Sequence, residues 1–378
     1  MHILGDLLSW LPLGLPAFLF VITVVVFFHE LGHFLVARAC GVGVEAFSIG
    51  FGPEIFGWTD GHGTRWKISF VPLGGYVKFL GDAGPASIPD RARIARMSPA
   101  ERVSLFQAKP LWQRASVVAA GPAANFVLAI LIFSVTFMLV GREVIRPVVG
   151  AVEAHSAAAA AGLKPGDVIT RVDGSPIHTF SDLQAVISIS PGRTMRMQVT
   201  RDQHVLRLQI TPRLTRVVDS LGDVQKIGLI GVRPRVSKAD IEILHYGPVG
   251  ALGESLKQCW FVVDSTMTYL WRMVRGHENA TQLTGPVGIA QVSEQVAAIG
   301  FLALVNLAAL ISVSIGLVNL FPIPILDGGH LLYYAVEAVL GRPLGARAQD
   351  VGFRVGLAVM LGLMVLATWN DLVRLNLF

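Results

Sequence analysis

The sequence predicts a polytopic α-helical membrane protein of about four transmembrane helices, with a membrane-associated β-loop and an inserted α+β domain. Three observations predict it. The 378 residues are 53% hydrophobic and only 15% charged, with mean hydropathy +0.58, too apolar for an ordinary soluble enzyme. Four apolar runs each reach the roughly 20 residues needed to cross a hydrocarbon core. Between the second and third runs lies a stretch of short strand-like segments punctuated by Gly and Pro.

The first span is expected over about 13–36, the second over about 115–140, the third over about 298–321 and the fourth over about 351–369. Only Arg354 interrupts the fourth, near its start, from where its long side chain can snorkel. Spans one and two belong to a first membrane half, 1–140, and spans three and four to a second, 285–378. No basic stretch precedes the first apolar run and no small-residue cleavage site follows it, so it does not read as a cleaved signal.

A polar connection from Arg38 to Arg114 joins spans one and two. It ends in Arg91, Arg93, Arg96, Arg102, Lys109 and Arg114. The positive-inside rule puts this connection in the cytoplasm, and four spans then put both termini and the segment after span two on the outer face. Within it, Arg65–Leu80 alternates apolar and polar residues around Pro72-Leu73-Gly74-Gly75, which predicts a hairpin-like pair of strands over about 65–80. Beside apolar spans, such a β-loop offers an edge for an extended substrate, with Gly74, Gly75 and Tyr76 as candidate contacts. A plain cytoplasmic hairpin fits the alternation equally well.

Residues 147–235 are expected to form the inserted domain, with strands near 148–152, 168–172, 195–200 and 206–210, and a helix near 181–189 capped by Ser181. Residues 240–280, with Trp260, Tyr269 and Trp271 among charged residues, are expected to hold an amphipathic helix on the outer membrane surface. Cys40 and Cys259 are far apart and show neither disulfide-framework nor zinc-ligand spacing. The net charge of +5 is modest and forms no stripe of the kind that binds nucleic acid.

The chemistry-bearing motif is His29-Glu30-Leu31-Gly32-His33, at the end of the first apolar run. On a helix, His29 and His33 lie one turn apart on one face, so both imidazoles can reach one zinc ion. Glu30 can then take a proton from a water activated by that ion. Ionisable groups inside a span are expensive, which makes them markers of function by default. A catalytic zinc takes three protein ligands. The third is expected from Asn319-Leu-Phe-Pro-Ile-Pro-Ile-Leu-Asp327-Gly-Gly-His330, where Pro322 and Pro324 break the helix near the membrane. Asp327 offers an oxygen and His330 a rival imidazole. Asn319 is a candidate donor to a substrate backbone or oxyanion. Asn125, in a run of small residues in span two, is expected to pack spans rather than line a cavity.

Ala161-Gly162-Leu163-Lys164-Pro165-Gly166-Asp167-Val168-Ile169 followed by Val172-Asp173-Gly174 resembles a bacterial PDZ domain. Ile227-Gly228-Leu229-Ile230-Gly231-Val232 resembles the carboxylate-binding loop of such domains, which makes Gly228 and Leu229 candidate peptide contacts. HExxH in the first span, this PDZ-like insert and Asn319-x-x-Pro322-x-Pro324-x-x-Asp327-Gly328 together resemble the site-2 protease family of intramembrane zinc metalloproteases. The likeness extends to Gly121-Pro122-Ala123-Ala124-Asn125-Phe126 and Thr284-Gly285-Pro286-Val287-Gly288-Ile289-Ala290, and covers nearly the whole chain. Within the family it is nearest to the bacterial regulators of sigma-E, whose enterobacterial form carries two tandem PDZ modules where this chain carries one.

The resemblance implies one zinc ion held by His29, His33 and Asp327 of the Leu326-Asp327-Gly328 motif, with His330 not a ligand and Glu30 as the base. It implies an endopeptidase of the bacterial inner membrane, acting on single-span proteins such as anti-sigma factors after a site-1 protease has trimmed them. The active site would face the cytoplasm and the PDZ-like domain the periplasm. No nucleic-acid partner is expected. A non-catalytic PDZ scaffold in the membrane is the alternative, and an intact Glu30 argues against it.

Overall fold

The computed structural model describes residues 11–84, 90–218, 224–235, 237, 240–276 and 284–374. Among them, four helices are long and apolar enough to cross a membrane: Pro12–Ala39, Leu111–Leu139, Phe301–Asn319 and Arg347–Val373. They lie within the helices α1 (Leu11–Ala39), α2 (Leu111–Leu139), α6 (Phe301–Asn319) and α8 (Ala346–Arg374). The remaining longer helices are α3 (Phe180–Ser188), α4 (Pro248–Val274), α5 (Pro286–Ile299) and α7 (Asp327–Leu340).

The third span is the helix α6, Phe301–Asn319, inside the expected 298–321. Gly300, at φ 146° and ψ 164°, separates α5 from α6. That conformation suits glycine alone, because a Cβ there meets the backbone. The sequence marks a change of character here, since Gln291, Glu294 and Gln295 lie before Gly300 and an uncharged apolar run follows it.

The chain divides into two compact units. One takes in 1–133, 252–266 and 279–378, the other 134–251 and 267–278. In the first, Ala17, Val21 and Val25 recur every four residues along α1 and pack on Leu304 and Ala308 of α6. Lower on the same helix, Phe34 and Ala37 join Val117 and Val118 of α2 and the apolar face of a small sheet. Between apolar helices in lipid this packing acts through van der Waals contact, so small residues matter at the crossings. A Cβ at Gly32 would collide with the Ala120 carbonyl and lie 2.7 Å from Ala124 Cβ, so α1 and α2 approach backbone to backbone there. Asp371 of α8 accepts the N–H groups of Gly285 (3.1 Å) and Gly288 (2.8 Å). It thereby satisfies the start of α5, whose N-cap Gly285 has no side chain to do so.

The sheet of the first unit corrects the expected hairpin. Its strands are β1 (Val44–Thr59) and β2 (Arg65–Phe79), antiparallel and strongly irregular. Phe47 pairs with both Val77 and Trp66, Ser48 with both Tyr76 and Lys67, and Ile49 with both Gly75 and Ile68. Residues 65–71 and 75–79 therefore flank the first half of β1 instead of pairing with each other. Alternation along 65–80 marks extended chain but not the partner, and the partners are upstream in β1: residues 44–49 for both ends, and 54–59 for residues 65–69 as well.

The second unit carries ten strands among its described residues. They are β3 (Arg142–Ile145), β4 (Val149–Val152), β5 (Val168–Val172), β6 (Ser175–Pro176), β7 (Met195–Arg201), β8 (His204–Ile210), β9 (Arg213–Val218), β10 (Val224–Leu229), β11 (Val232–Pro234) and β12 (Ile241–Leu244). β5–β8 form one antiparallel sheet in the order 6-5-7-8, while β4 pairs with β11, β3 with β12 and β9 with β10. The β3–β12 pair lies outside 147–235, so the compact unit is wider than the stretch marked by composition. Leu183 and Ile187 of α3 close its core against Ile169, Met195, Met197 and Val199. The cap of α3 is Thr179, not Ser181: Thr179 Oγ1 accepts the Asp182 N–H at 3.0 Å and Asp182 accepts the Thr179 N–H at 2.9 Å. This reciprocal capping box outweighs a lone serine two residues later.

Asp167 is fully buried in this unit and fully partnered. Arg201 grips it through Nε at 2.7 Å and Nη2 at 2.8 Å, and the Lys164 N–H donates at 2.9 Å. Burial alone would raise its pKa, but these donors outweigh burial and hold the carboxyl below the usual range.

Candidate metal centre

Three segments far apart in sequence meet in the first unit. His29 and His33 project from one face of α1, with Nε2 atoms 3.3 Å apart. The chain leaves α6 after Asn319, turns through Pro322 and Pro324, and re-enters a helix at Asp327, the first residue of α7. The turn is tight because Gly328 and Gly329 are bare. A Cβ at either would collide with the backbone of Leu320–Pro324. An acidic residue in the first turn of a helix also meets the favourable end of its dipole. Asp327 Oδ2 thereby reaches to 3.1 Å from His29 Nε2 and 3.5 Å from His33 Nε2.

One ligand atom each from His29, His33 and Asp327 lies within 4.8 Å of the others. No other such group is found among the described residues, and His330 is not part of this one. Asp327 Oδ2 is buried, and its close polar neighbours are the two imidazole Nε2 atoms. A buried carboxylate oxygen that meets only two ring nitrogens, with no Arg, Lys or backbone N–H, suits a cation shared among the three. The His33 ring is oriented to serve it. Its Nδ1 lies 2.9 Å from the Val117 carbonyl, which can only accept, so Nδ1 carries the proton and the Nε2 lone pair faces Asp327. Two imidazole nitrogens and one carboxylate oxygen suit a four-coordinate zinc with one position open.

Glu30 is the next residue along α1 and faces the sheet. The Val77 N–H hydrogen-bonds it, and a Cβ at Gly75 would lie 3.2 Å from Glu30 Cγ. The absence of a side chain at Gly75 is what lets this strand lie against the glutamate. Gly74, at φ 130°, packs on the Phe51 ring, and Tyr76 stacks on Phe51 at 6.0 Å with Lys67 Nζ above it. Asn319 Nδ2 lies 3.4 Å from His29 Nε2, at the ligand atoms themselves. Gly228 and Leu229 belong to the second unit, where Gly228 packs on the Ile187 carbonyl at the end of α3.

Two further residues complete the pocket. A Cβ at Gly121 would lie 2.9 Å from His29 Cε1 and closer still to His33 Nε2, so only glycine leaves room for both rings. Asn125 Nδ2 lies 3.3 Å from His29 Nδ1. The sequence signal for Asn125 was present, an amide in an uncharged span, but its small neighbours pointed to packing.

Two histidines from one membrane-length helix, a carboxylate from the turn after another and an adjacent glutamate suit a membrane metalloprotease centre. The chain belongs to peptidase family M50, the site-2 proteases, whose family model matches residues 17–363. It is 48% identical over 366 residues to a Rhizobium meliloti protein named "Putative zinc metalloprotease", covering 97% of this chain and 98% of that one. It is 40% identical to the metalloprotease MmpA of Caulobacter vibrioides, covering 96% of each. To the regulator of sigma-E protease RseP of Salmonella typhimurium it is 31% identical, over 96% of this chain and 99% of that one. It is a zinc-dependent metalloprotease embedded in a membrane.

Proposed function

We propose that this chain cleaves single-span membrane proteins, anti-sigma factors among them, within or near the span, after a site-1 protease has shortened them. The observation that carries this reading is the meeting of HExxH from one membrane helix with Asp327 from the turn after another. His29, His33 and Asp327 are the zinc ligands and Glu30 is the base. Bound zinc lowers the pKa of a water towards neutrality and polarises a carbonyl. Glu30, beside the ligands and held by the Val77 N–H, accepts a proton and returns it to the leaving amine. Asn319 donates to the substrate backbone.

A helical span is a poor substrate because its backbone bonds are already made, so it must unwind. Strand 75–79 beside Glu30 supports an edge where an unwound segment pairs, with Gly74, Gly75 and Tyr76 as contacts. Phe56, Trp58, Phe70 and Val71 are exposed on the same sheet, which supports a β-loop seated in the membrane. His29 is ten residues from the Ala39 end of α1, about 15 Å along the axis. The basic connection that follows supports an active site towards the cytoplasm of the inner membrane and a periplasmic second unit. That unit, with Gly228 and Leu229 beside the end of α3, serves as a PDZ-like module that screens substrates. The long helix α4, with exposed Trp260, Phe261 and Trp271, lies on the outer membrane surface.

The test is cleavage of a trimmed single-span reporter by the purified chain in liposomes, with metal content measured alongside. Wild type is expected to cut within the span. Glu30→Gln is expected to lose about 100-fold or more while holding the same one ion. A Glu30→Gln protein that cuts at the wild-type rate overturns the assignment of the base. A zinc-loaded wild type that cuts soluble proteins but no single-span reporter overturns the substrate class.

A further inference from the structure

Asn125 lies in the middle of α2 with 0% of its surface exposed. A buried carboxamide is stabilising only when both its ends are partnered. Its backbone is well held. Ser312 Oγ donates to the Asn125 carbonyl at 2.9 Å, and a Cβ at Gly316 would lie 3.2 Å from Asn125 Cβ, so α6 is pressed against this residue. Its side chain is not. Nδ2 faces His29 Nδ1 at 3.3 Å, while Oδ1 is buried without a partner.

The oxygen and nitrogen of a carboxamide exchange places by a half-turn, and the hydrogen-bond network decides between them. With the NH2 group on His29 Nδ1, that nitrogen must supply the lone pair and Nε2 must carry the proton. Nε2 is the atom 3.1 Å from Asp327 Oδ2, so a proton there occupies the direction a metal needs. The half-turn brings Oδ1 onto Nδ1. The proton then resides on Nδ1, the Nε2 lone pair is free and Oδ1 gains a donor, while the NH2 group takes over the unpartnered place. His33 has this arrangement already, with Nδ1 held by the Val117 carbonyl at 2.9 Å. Val117, Gly121 and Asn125 follow one another every four residues on one face of α2. That face offers a carbonyl to one histidine, a bare position to both rings, and an amide to the other.

We propose that Asn125 is a positioning residue whose side-chain oxygen accepts the His29 Nδ1–H and so presents Nε2 to a divalent metal ion. The proposal rests on His29 being a metal ligand, as argued above. Asp at 125 keeps the acceptor and Leu keeps only the shape. Zinc affinity of the full-length purified chain, measured by chelator competition, is expected to fall about 10–100-fold in Asn125→Leu and to stay within about threefold of wild type in Asn125→Asp. In zinc-loaded wild type, 15N shifts of His29 are expected to show the proton on Nδ1. Equal affinity of Asn125→Leu and wild type overturns the proposal, as does an equal loss in both variants or a proton on Nε2. If Asn125→Leu does not fold, the Asp variant and the 15N shifts decide alone. Wild type that binds no zinc overturns the ligand assignment itself, and is told apart because no variant enters that result.

Discussion

Two buried carboxylates, one in each unit, are treated in opposite ways. Asp167 has 0% of its side chain exposed and is closed by Arg201 and a backbone N–H. Asp327 is also largely buried, at 17% side-chain exposure, yet its Oδ2 meets no Arg, Lys or backbone N–H and faces two imidazoles. A carboxylate that only holds a fold is saturated by its own protein. One that is meant to take a cation is left open, and the surrounding packing bears the cost. A buried carboxylate that meets only imidazole nitrogens is therefore the physical signature that separates the two.

The sharpest way to break this comparison is Asp327→Asn beside Asp167→Asn. Asp327→Asn is expected to lower zinc content from about one ion per chain to below a tenth while leaving the thermal unfolding of the metal-free protein unchanged. Asp167→Asn is expected to leave zinc content unchanged. Metal analysis after dialysis against a fixed zinc concentration checks both. If the two variants lose zinc equally, the open and closed carboxylates are not distinct.

Gly121→Ala probes whether the open pocket is kept open by shape. Its methyl group would fall against His33 Nε2 and 2.9 Å from His29 Cε1. Overpacking of this kind costs about 1–3 kcal/mol, and zinc affinity is expected to fall about tenfold or more. Gly121→Ala that binds zinc as wild type does would show that the rings can move aside.

On the closed side, Asp167→Asn takes one of the two carboxylate acceptors from Arg201 and leaves it the Gly162 carbonyl at 2.7 Å. The second unit is expected to lose about 1–3 kcal/mol of stability, read from urea unfolding. A change under a few tenths would show that solvent replaces the carboxylate.

The smallest effect is that of pH. The donors to Asp167 hold its pKa below the usual carboxylate range against the opposing effect of burial. Asp240 is held at about 2 by hydrogen bonds from Arg235 and then Ser237. Both folded values lie below the unfolded one, so their stabilisation is complete above about pH 4 and fades as pH falls through the folded values. The second unit is expected to unfold at lower urea at pH 3 than at pH 6, and Asp167→Asn to flatten that difference. An unchanged slope in the variant sinks the attribution.

The HExxH motif was legible because one helical turn is a local rule. His29 and His33 need no knowledge of the rest of the chain to share a face. Asp327 was legible as to type, since two prolines guarantee a helix break before it. It could not be separated from His330 by chemistry, because both sit within one turn of each other and both bind zinc. The resemblance favoured Asp327, and the tight turn over Gly328 and Gly329 brings Asp327 alone to the histidines. The sheet was legible as extended chain only. Nothing in 65–80 records that residues 44–49 intrude between its ends. Gly300 was marked by the change from Gln291, Glu294 and Gln295 to an uncharged apolar run, and Asn125 was hidden by small neighbours that fit a packing role equally well.

The pocket is assembled from residues 29 and 33 near the start of the chain and 327 near its end. A ribosome adding about 5–20 residues per second needs roughly 15–60 s to make the stretch between them. Until residue 327 is made, the proposed third ligand does not exist. On the proposed ligand set, a protease made in this order is silent until residue 327 is in place, and a chain arrested before that residue cuts nothing.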